Sequence, residues 1–429
     1  MMTINDIKRL NSIHYSVHRY SIWGKPYTLN DCFWFFWGKR KKMMSNKVKE
    51  STALGDILFY APELNNKRSL EPIMDNMPKE SYTFWYTPGS LPNRGIWLRS
   101  LLYFPLFVVL YLKSNLEDRK LLGSFSWDYI RACGTYKTLE KVILNNPHLK
   151  MIVLASDQNI ENRSLIELAE KYKIKTLYVQ HASVTKDFPT LPITYSFLDG
   201  QESFDKYDHG EEMTGKFILS GGARFDFFYK YKNEEKKYDV GIALNALDNM
   251  EKVSNLCKYI KKHYSSRIIV RPHVSLLLNK RFKSDFFISQ GIDISDSLKE
   301  PSCAFISKIK KMIAGESAIH LDAAIMDVPS IIYNMSDRDE ILDIYSYVKN
   351  GLVKSYNSLE DLVFALTFDI NILTETKKYY NASYDTPMEG KVGKMISSFI
   401  IKDIYDSHNS ALDFISTYMI DKGKFWEYK

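Results

Sequence analysis

Short apolar runs recur along most of this chain and alternate with segments of helical periodicity. The runs at 57–60, 150–156 and 240–244 have the length and continuity of buried parallel strands. Segments 164–172 and 249–264, which follow such runs, carry apolar residues at the spacing of helices. Alternation on this rhythm predicts parallel, doubly wound sheets flanked by helices. The expected fold class is therefore α/β.

The length and one charged segment predict the division into domains. A chain of 429 residues is long enough for two α/β domains of ordinary size. Segment 230–237 is charged and lacks apolar periodicity, which is typical of a connection between domains. We expect two Rossmann-like domains that face each other across a cleft. The predicted parts are an extension (1–50), a first domain (51–232), a second domain (233–385) and final helices that cross back to the first domain (386–429).

Two segments raise the question of membrane contact. Segment 34–42 places aromatic residues beside a basic run, which fits either a solvated loop or contact with an anionic membrane surface. Segment 96–112 is strongly apolar but contains Arg99 and Pro105 and is shorter than the roughly 20 residues that a spanning helix needs. We expect a core or interdomain helix there, with a membrane-surface helix as the alternative.

Composition narrows the class of protein. Hydrophobic residues make up 45% of the chain and charged residues 25%, as in folded proteins, and the net charge is a modest +7. The four cysteines form no C-x-x-C pair and have no histidine at metal-ligand spacing. The N-terminus lacks the basic and apolar regions of a secretory signal. These features predict a reduced, cytoplasmic protein without structural zinc, and nucleic acid is not an expected partner.

The segment 314–333 carries the strongest functional pattern. It predicts a tight turn, a short helix and a buried strand, with Gly315 allowing close approach of a ligand and Ser317 at the helix start. A phosphate would fit there. Arg271 and His273, just after the strand predicted at 267–270, could bind further phosphate oxygens.

Three other polar residues of this segment have different predicted roles. Glu316 and Asp322 are acidic groups beside a predicted phosphate, so we expect them to accept hydrogen bonds from ribose hydroxyls or from a base. His320 lies one turn after Ser317 and could face either the site or the core.

Candidate catalytic groups follow strands in the first half. His181 comes directly after the strand at 176–180 and could remove a proton from an acceptor hydroxyl, because its ordinary pKa is near neutral pH. Asp157 and Asp199 also follow strands and are rival bases. Gly222 and Arg224 lie in the turn after the strand at 217–220 and are candidate donor-binding residues. Since ligands bind beyond the carboxyl ends of strands in open α/β sheets, all these positions could line one cleft.

Missing motifs limit the chemistry. The chain has no P-loop and no G-x-G-x-x-G fingerprint, which argues against kinase, ATPase and nicotinamide-dependent activities. No Asp-x-Asp pair follows a strand in the first half, so a metal-bridged sugar nucleotide is not indicated. We expect a transfer reaction that needs no metal and no cofactor.

These residues together resemble a group of known enzymes. The set consists of Gln180-His181, the turn 222–226, Arg271-Pro272-His273, Glu316-Ser317, Asp322, Pro329 and Tyr333. It resembles GT-B bacterial transferases that build capsules, lipopolysaccharide and teichoic acids, especially the CDP-glycerol glycerophosphotransferases and the CMP-dependent sialyl- and Kdo-type transferases. The resemblance covers roughly residues 150–335 and implies a GT-B fold, with an acceptor domain first and a nucleotide-donor domain second.

The resemblance also implies roles for single residues. A histidine of a His-Gly motif acts as the base in these families, and His181 is the matching residue, followed here by Ala182. A His-Pro motif and a serine motif hold the donor phosphate, and they match His273, followed here by Val274, and Ser317.

The expected function follows from both kinds of evidence. It is an inverting, metal-independent glycosyltransferase of bacterial capsule or lipopolysaccharide synthesis that uses a cytidine-nucleotide-activated sugar. The acceptor would be a glycan or a lipid-linked glycan at the inner face of the cytoplasmic membrane, with peripheral membrane contact. The alternatives are a CDP-polyol phosphotransferase, a non-hydrolysing sugar-nucleotide epimerase and a non-catalytic scaffold of the same fold.

Overall fold

A computed structural model describes residues 52–87, 94–116, 119, 122, 126–157, 159–185, 190–207, 214–265, 267–338, 340–406 and 425–428. The predictions for the extension 1–50, including its aromatic–basic run, lie outside these ranges.

In the first half, the strands are β1 Ile57–Ala61, β2 Tyr82–Tyr86, β3 Met151–Leu154, β4 Lys175–Val179, β5 Pro192–Leu198 and β6 Thr214–Leu219. The helices are α1 Leu64–Met74, α2 Arg94–Leu102, α3 Phe104–Lys113, α4 Ser126–Leu144, α5 Ile160–Tyr172 and α6 Gln201–Lys206, with 3₁₀ helices at Lys79–Ser81 and Ala223–Lys230.

In the second half, the strands are β7 Tyr238–Ala243, β8 Ile268–Arg271, β9 Asp293–Ile294, β10 Ile309–Ala314, β11 Ser330–Tyr333, β12 Lys354–Tyr356 and β13 Phe425–Tyr428. The helices are α7 Met250–His263, α8 Val274–Leu278, α9 Ser284–Ile288, α10 Ser302–Ser307, α11 Ile319–Ile325, α12 Leu359–Leu366, α13 Thr374–Tyr380 and α14 Val392–Tyr405.

These strands form two separate sheets. The first has the order β2-β1-β3-β4-β5-β6-β13, parallel throughout except for β13, which pairs antiparallel with β6. The second has the order β9-β8-β7-β10-β11-β12 and is entirely parallel. Counted within its own domain, that order is 3-2-1-4-5-6, the arrangement of doubly wound nucleotide-binding domains. The predicted fold class of two doubly wound Rossmann-like domains is confirmed.

Helix α14 comes last among the described helices and packs on the first sheet. Its buried residues join the cluster that covers one face of that sheet, and Phe399 packs edge-on against Tyr195 and Phe197 at centroid distances of 4.9 and 5.2 Å. Asp226 fixes its N-terminus, because the carboxylate accepts the N–H groups of Val392 at 3.0 Å and Gly393 at 2.7 Å. The C-terminal part of the chain therefore ties the second domain back to the first.

The apolar segment 96–112 folds as two helices rather than one. Helices α2 and α3 meet at a bend of 47° between Leu102 and Phe104. Among the described residues no single helix has the length and apolarity to cross a membrane, although this bent pair does when its two halves are taken together. Both helices pack against α4 on the first domain.

A candidate ligand cleft between the two sheets

Strand order locates the ligand-binding edge of each sheet. In the first sheet the order reverses between β1 and β3, and in the second between β7 and β10. Open α/β sheets bind ligands at such a reversal, beyond the carboxyl ends of the strands. The relevant segments are therefore those after β1, β3, β7 and β10. A cavity of about 510 Å³ lined by Lys150, Lys175 and Asp403 lies at the amino ends of β3 and β4, so it is at the wrong end of the sheet.

A buried ion pair occupies the cleft edge of the first domain. Arg224 donates from Nη1 to Oδ1 of Asp199 at 2.9 Å and from Nη2 to Oδ2 at 2.5 Å, and its guanidinium stacks on the Phe225 ring at 4.2 Å. The Asp199 side chain is almost completely buried. Burial raises the pKa of Asp199, and Arg224 opposes that rise. Because both carboxylate oxygens hold the guanidinium, Asp199 is better placed to orient Arg224 than to remove a proton.

The backbone around this ion pair is held by Gln180, which directly precedes His181, and by Asn381, which no sequence pattern singles out. Oε1 of Gln180 accepts the N–H of Asp199 at 2.9 Å, and its Nε2 donates to Oγ of Ser203 at 2.8 Å. Oδ1 of Asn381 accepts the N–H of Gly222 at 2.9 Å. A side chain at Gly222 would collide with Asp199, because its Cβ would lie 2.8 Å from Oδ1. The turn after β6 therefore needs glycine there to let the carboxylate reach Arg224.

His181 lies beside this ion pair, directly after β4. Burial and, to a smaller extent, the positive charge of Arg224 lower its pKa to about 4, and a hydrogen bond with the backbone of Ala155 opposes this shift. Its Nδ1 is buried and has no hydrogen-bond partner among the described residues. At neutral pH the imidazole is therefore neutral and can accept a proton.

Two further polar groups adjoin β3. Oδ2 of Asp157 accepts from Nη2 of Arg163 at 2.9 Å, and burial raises the pKa of Asp157 while Arg163 opposes the rise. Asn66, on α1, donates from Nδ2 to the carbonyl of Ala155 at 3.3 Å. The remaining side-chain oxygen of each, Oδ1, is buried without a partner among the described residues. Unpaired buried polar atoms are costly, so a polar ligand or water is expected beside them.

Arg271 ends β8 in the second domain. It donates from Nη1 to Oγ of Ser295 at 2.8 Å and from Nη2 to the carbonyl of Glu300 at 2.7 Å, and it lies over the Phe305 ring at 5.7 Å. Both of its hydrogen-bond acceptors are neutral groups. Its guanidinium is fixed in position without being directly neutralised, which suits an anion-binding residue.

His273 follows two residues later and caps α8. Its Nδ1 accepts the backbone N–H of Ser275 at 3.2 Å, and the side chain is exposed. Since a backbone N–H can only donate, the neutral ring carries its proton on Nε2. That atom is a hydrogen-bond donor for an acceptor outside the helix.

The turn after β10 meets the loop after β7 at the strand-order reversal. A Cβ on Gly315 would lie 3.1 Å from Nδ2 of Asn245 and 3.3 Å from Oδ1 of Asp248. Burial raises the pKa of Asp248 to about 6, and a hydrogen bond from the backbone of Asn245 opposes the rise. Oε1 of Glu316 accepts the N–H of Ile344 at 3.0 Å. The crevice therefore contains Asn245 and Asp248 as well as the predicted Gly315 and Glu316.

Ser317 and His320 have different environments. Oγ of Ser317 accepts the N–H of Ile319 at 3.4 Å at the start of α11, and the residue is half-buried. His320 is fully buried, with Nδ1 2.9 Å from Oγ of Ser330 and Nε2 3.0 Å from the carbonyl of Gly315. Both ring nitrogens are therefore engaged inside the protein. His320 supports the Gly315 turn from the core side and does not project into the cleft.

Asp322 connects the charges of the two domains. Its Oδ2 accepts from Oγ of Ser302 at 3.1 Å. Burial raises the pKa of Asp322 to about 6, Arg224 of the first domain and Arg271 of the second both oppose the rise, and Asp199 adds to it. Asp322 therefore lies within electrostatic range of Arg224 and Asp199 on one side of the cleft and of Arg271 on the other.

Direct contacts close the cleft nearby. The hydroxyls of Ser183 and Tyr347 are 2.7 Å apart, and Nζ of Lys206 donates to the carbonyl of Tyr345 at 2.9 Å. Within the parts of the chain that the structure describes, no cluster of three or more His, Cys, Asp or Glu side chains could hold a metal ion.

No protein-family model and no curated protein matches this chain. Solved structures with a similar course of the chain include the UDP-GlcNAc 2-epimerase of Neisseria meningitidis bound to UDP-GlcNAc, at 13% identity and a TM-score of 0.48, covering 81% of this chain and 99% of the other. The wall teichoic acid polymerase TagF has 14% identity and a TM-score of 0.47, with 95% and 100% covered. The S. aureus MnaA–UDP structure has 11% identity and a TM-score of 0.46, with 82% and 98% covered. Similarity at this level does not assign a function to this chain.

Proposed function

We propose that this protein is a metal-independent, inverting glycosyltransferase of bacterial surface-polysaccharide synthesis that takes a cytidine-nucleotide-activated sugar as donor. One arrangement carries the proposal: the two domains touch through Ser183 with Tyr347 and Lys206 with Tyr345, and Asp322 of the second domain lies within electrostatic range of Arg224 and Asp199 of the first. The strand ends of two nucleotide-binding-type sheets thus meet at one cleft. This arrangement suits transfer of a group from a donor on one side to an acceptor on the other.

The first domain would supply the base. His181 is neutral at neutral pH because burial and Arg224 depress its pKa, and a neutral imidazole can take the proton of an attacking hydroxyl. Asp199 is committed to Arg224 and Asp157 to Arg163, so each is better suited to positioning than to proton removal. The unpaired Oδ1 atoms of Asp157 and Asn66 could accept or order hydroxyls of a glycan acceptor.

The second domain would hold the nucleotide and stabilise the departing phosphate. Arg271 offers a fixed positive charge and Nε2–H of His273 offers a donor. Gly315, Glu316, Ser317 and Asp322 would surround the nucleoside and phosphate, while His320 would hold the turn from behind. No metal or cofactor takes part in this scheme.

The donor is tested first by binding. Ligands that bind only the folded state raise the melting temperature, by an amount that corresponds to about 2.7 kcal/mol at a hundredfold excess over Kd. We expect CMP or CDP to stabilise the protein more than UDP or GDP, and the double variant Arg271→Ala/Ser317→Ala to lose that stabilisation. The matched control is Arg267→Ala/Ser289→Ala, because both of its side chains are exposed on the same domain. Stabilisation by UDP alone would contradict the cytidine assignment.

The reaction is then tested by product analysis with CMP-sialic acid, CMP-Kdo, CDP-glycerol and UDP-N-acetylglucosamine. Release of CMP with a glycosylated acceptor is the expected result. Transfer of glycerol phosphate would identify the polyol phosphotransferase instead, and conversion of UDP-N-acetylglucosamine without an acceptor would identify the epimerase.

A further inference from the structure

Helices α2 and α3 expose an apolar face in the part of the chain that the structure describes. Leu102, Leu112 and Leu116 are 77%, 63% and 78% exposed. The other large apolar side chains of this face are Leu98, Leu101, Phe104, Val108 and Val109, each at least 39% exposed. Seven of these eight residues lie on α2 and α3, and Leu116 follows the end of α3 by three positions. Large exposed groups of apolar side chains mark interaction sites.

The opposite side of the same helices is anchored in the first domain. Ile96 belongs to the core above β1 and β3, and Phe107 and Leu110 pack in a cluster with Ala132, Cys133 and Ile160. These contacts hold α2 and α3 firmly on the domain, so burial of the outer face is not needed for them to fold. The exposed leucines therefore contribute nothing to the core.

The charges around this face favour one kind of partner. Segment 94–116 contains Arg94, Arg99 and Lys113 and no Asp or Glu, and Glu117 and Asp118 follow it. Arg99 donates to Oγ1 of Thr138 at 2.7 Å on the α4 side, whereas Lys113 is exposed at the end of α3. Trp97, Tyr103 and Tyr111 pack against the domain, whereas Phe104 is 50% exposed and is the aromatic ring of the outer face. Arg119 donates to the carbonyls of Tyr111 at 3.1 Å and Leu112 at 2.7 Å, which satisfies acceptors at the end of α3 that would otherwise require water.

The geometry excludes a straight span and fits a position along a membrane surface. The pair bends by 47°, and its halves Gly95–Leu102 and Phe104–Lys113 are each far below the roughly 20 residues that cross a bilayer. Amphipathic helices with an exposed apolar face lie in the headgroup region with that face toward the acyl chains.

We propose that the apolar face of α2 and α3 inserts into the surface of a bilayer that contains anionic lipids. Ile160, which packs with Phe107 and Leu110, begins α5 just after Asp157. The membrane would therefore lie beside the acceptor side of the cleft, so that a lipid-linked acceptor could reach His181 from the bilayer. This last step rests on the proposed function, whereas the membrane contact does not.

The test is co-sedimentation of the full chain with vesicles of phosphatidylcholine containing phosphatidylglycerol. The variant Leu98→Ser/Leu102→Ser/Leu112→Ser should lower the partition coefficient about tenfold or more, because each change removes exposed aliphatic surface from the insertion face. The matched control is Phe364→Ser/Phe368→Ser/Leu373→Ser, whose residues are 66%, 53% and 68% exposed on the second domain and which should bind as the wild type does. Binding is scored without any donor, so its outcome is independent of the transferase proposal.

Three results would overturn the assignment. Equal vesicle binding by the wild type and the α2/α3 variant would exclude this face. Loss of binding only in a Trp34→Ser/Trp37→Ser variant would assign membrane contact to the aromatic–basic segment. A wild-type dimer in light scattering that the α2/α3 variant turns into a monomer, with no vesicle binding by either, would make the face a contact between two copies of the chain.

Discussion

Arg224 and Arg271 lie on opposite sides of the cleft and differ in the charge of the groups that hold them. Arg224 is neutralised by a two-pronged bond to the buried carboxylate of Asp199. Among the described residues, Arg271 donates to a hydroxyl and a carbonyl and to no carboxylate. A guanidinium already matched with a carboxylate fixes geometry and shapes the local potential, whereas one held by neutral groups keeps its charge for a ligand.

The same contrast extends to the two histidines beside these arginines. His181 is half-buried and has its pKa lowered to about 4, while the exposed His273 caps a helix and presents Nε2–H. Under the proposed function, this difference assigns removal of a proton to the first domain and binding of an anion to the second. Each prediction below tests one side of that division.

The largest effect is expected for His181→Ala. Loss of a general base typically lowers the rate by about 10²–10⁴-fold. Nucleotide affinity should stay within about twofold of the wild-type value, because the second domain is unchanged. Steady-state kinetics and calorimetric titration with the nucleotide measure the two quantities. A variant that loses nucleotide binding together with activity would contradict the division.

The pH dependence sharpens this test. The base must be neutral, and with a pKa of about 4 His181 stays neutral as the pH falls from 8 to 5. Protonation of His181 should therefore cause no loss of activity near pH 6.5. An inflection near pH 6 that disappears in Asp322→Asn would instead belong to Asp322, whose pKa burial raises to about 6.

The second effect concerns the buried ion pair. Arg224→Met leaves the Asp199 carboxylate buried without its partner, and such changes cost about 3–5 kcal/mol of unfolding free energy. Denaturant unfolding should show this loss and should show a much smaller loss for Asp199→Asn/Arg224→Met.

Removing the charge of Arg224 should also raise the pKa of His181 toward its ordinary value, so the acid limb of the pH profile of any residual activity should move to higher pH. An unchanged limb would mean that Arg224 does not act on His181.

How far the sequence predicted this site depends on the range of the interactions. Apolar runs locate strand ends, so His181, Asp199, Arg271 and Gly315 could be predicted as candidates. The sequence could not show that Arg224, 25 residues further along the chain, would form an ion pair with Asp199. That pairing requires β5 and β6 to lie side by side.

The direction in which a single side chain points also could not be predicted from the sequence. His320 could face the site or the core by helical spacing alone, and its bonds to Ser330 and Gly315 decide for the core. Asn66, Asp248 and Asn381 were missed because one polar residue in a helix or loop carries no periodic signal. The run 96–112 predicts a core or interdomain helix, with a membrane-surface helix as the alternative. The sequence could not decide between them, since apolar content does not tell which face of a helix the fold covers.

The third effect should be about tenfold and confined to nucleotide binding. Arg271→Lys keeps the charge but cannot donate to Ser295 and Glu300 while facing a phosphate, so the affinity for the nucleotide should fall about tenfold. Arg267→Lys is the matched control, because Arg267 stands just before the other end of the same strand and pairs with Asp239 at the surface. Isothermal titration of both variants measures the difference. Equal affinities would remove Arg271 from the anion site.

The smallest effect should come from Gly315→Ala. The added methyl group would lie 3.1 Å from Nδ2 of Asn245 and 3.3 Å from Oδ1 of Asp248, which small shifts of those side chains can relieve, so the unfolding free energy should change by less than about 1 kcal/mol. The shifted side chains would narrow the crevice between β7 and β10, and nucleotide affinity should fall about three- to tenfold. Gly351→Ala provides the opposite control: Gly351 has a φ of +75° and open space around its Cβ position, so alanine should cost about 1 kcal/mol of stability and leave affinity unchanged. If the Gly315→Ala variant binds the nucleotide as the wild type does, the nucleotide does not bind beside the point where the strand order reverses between β7 and β10.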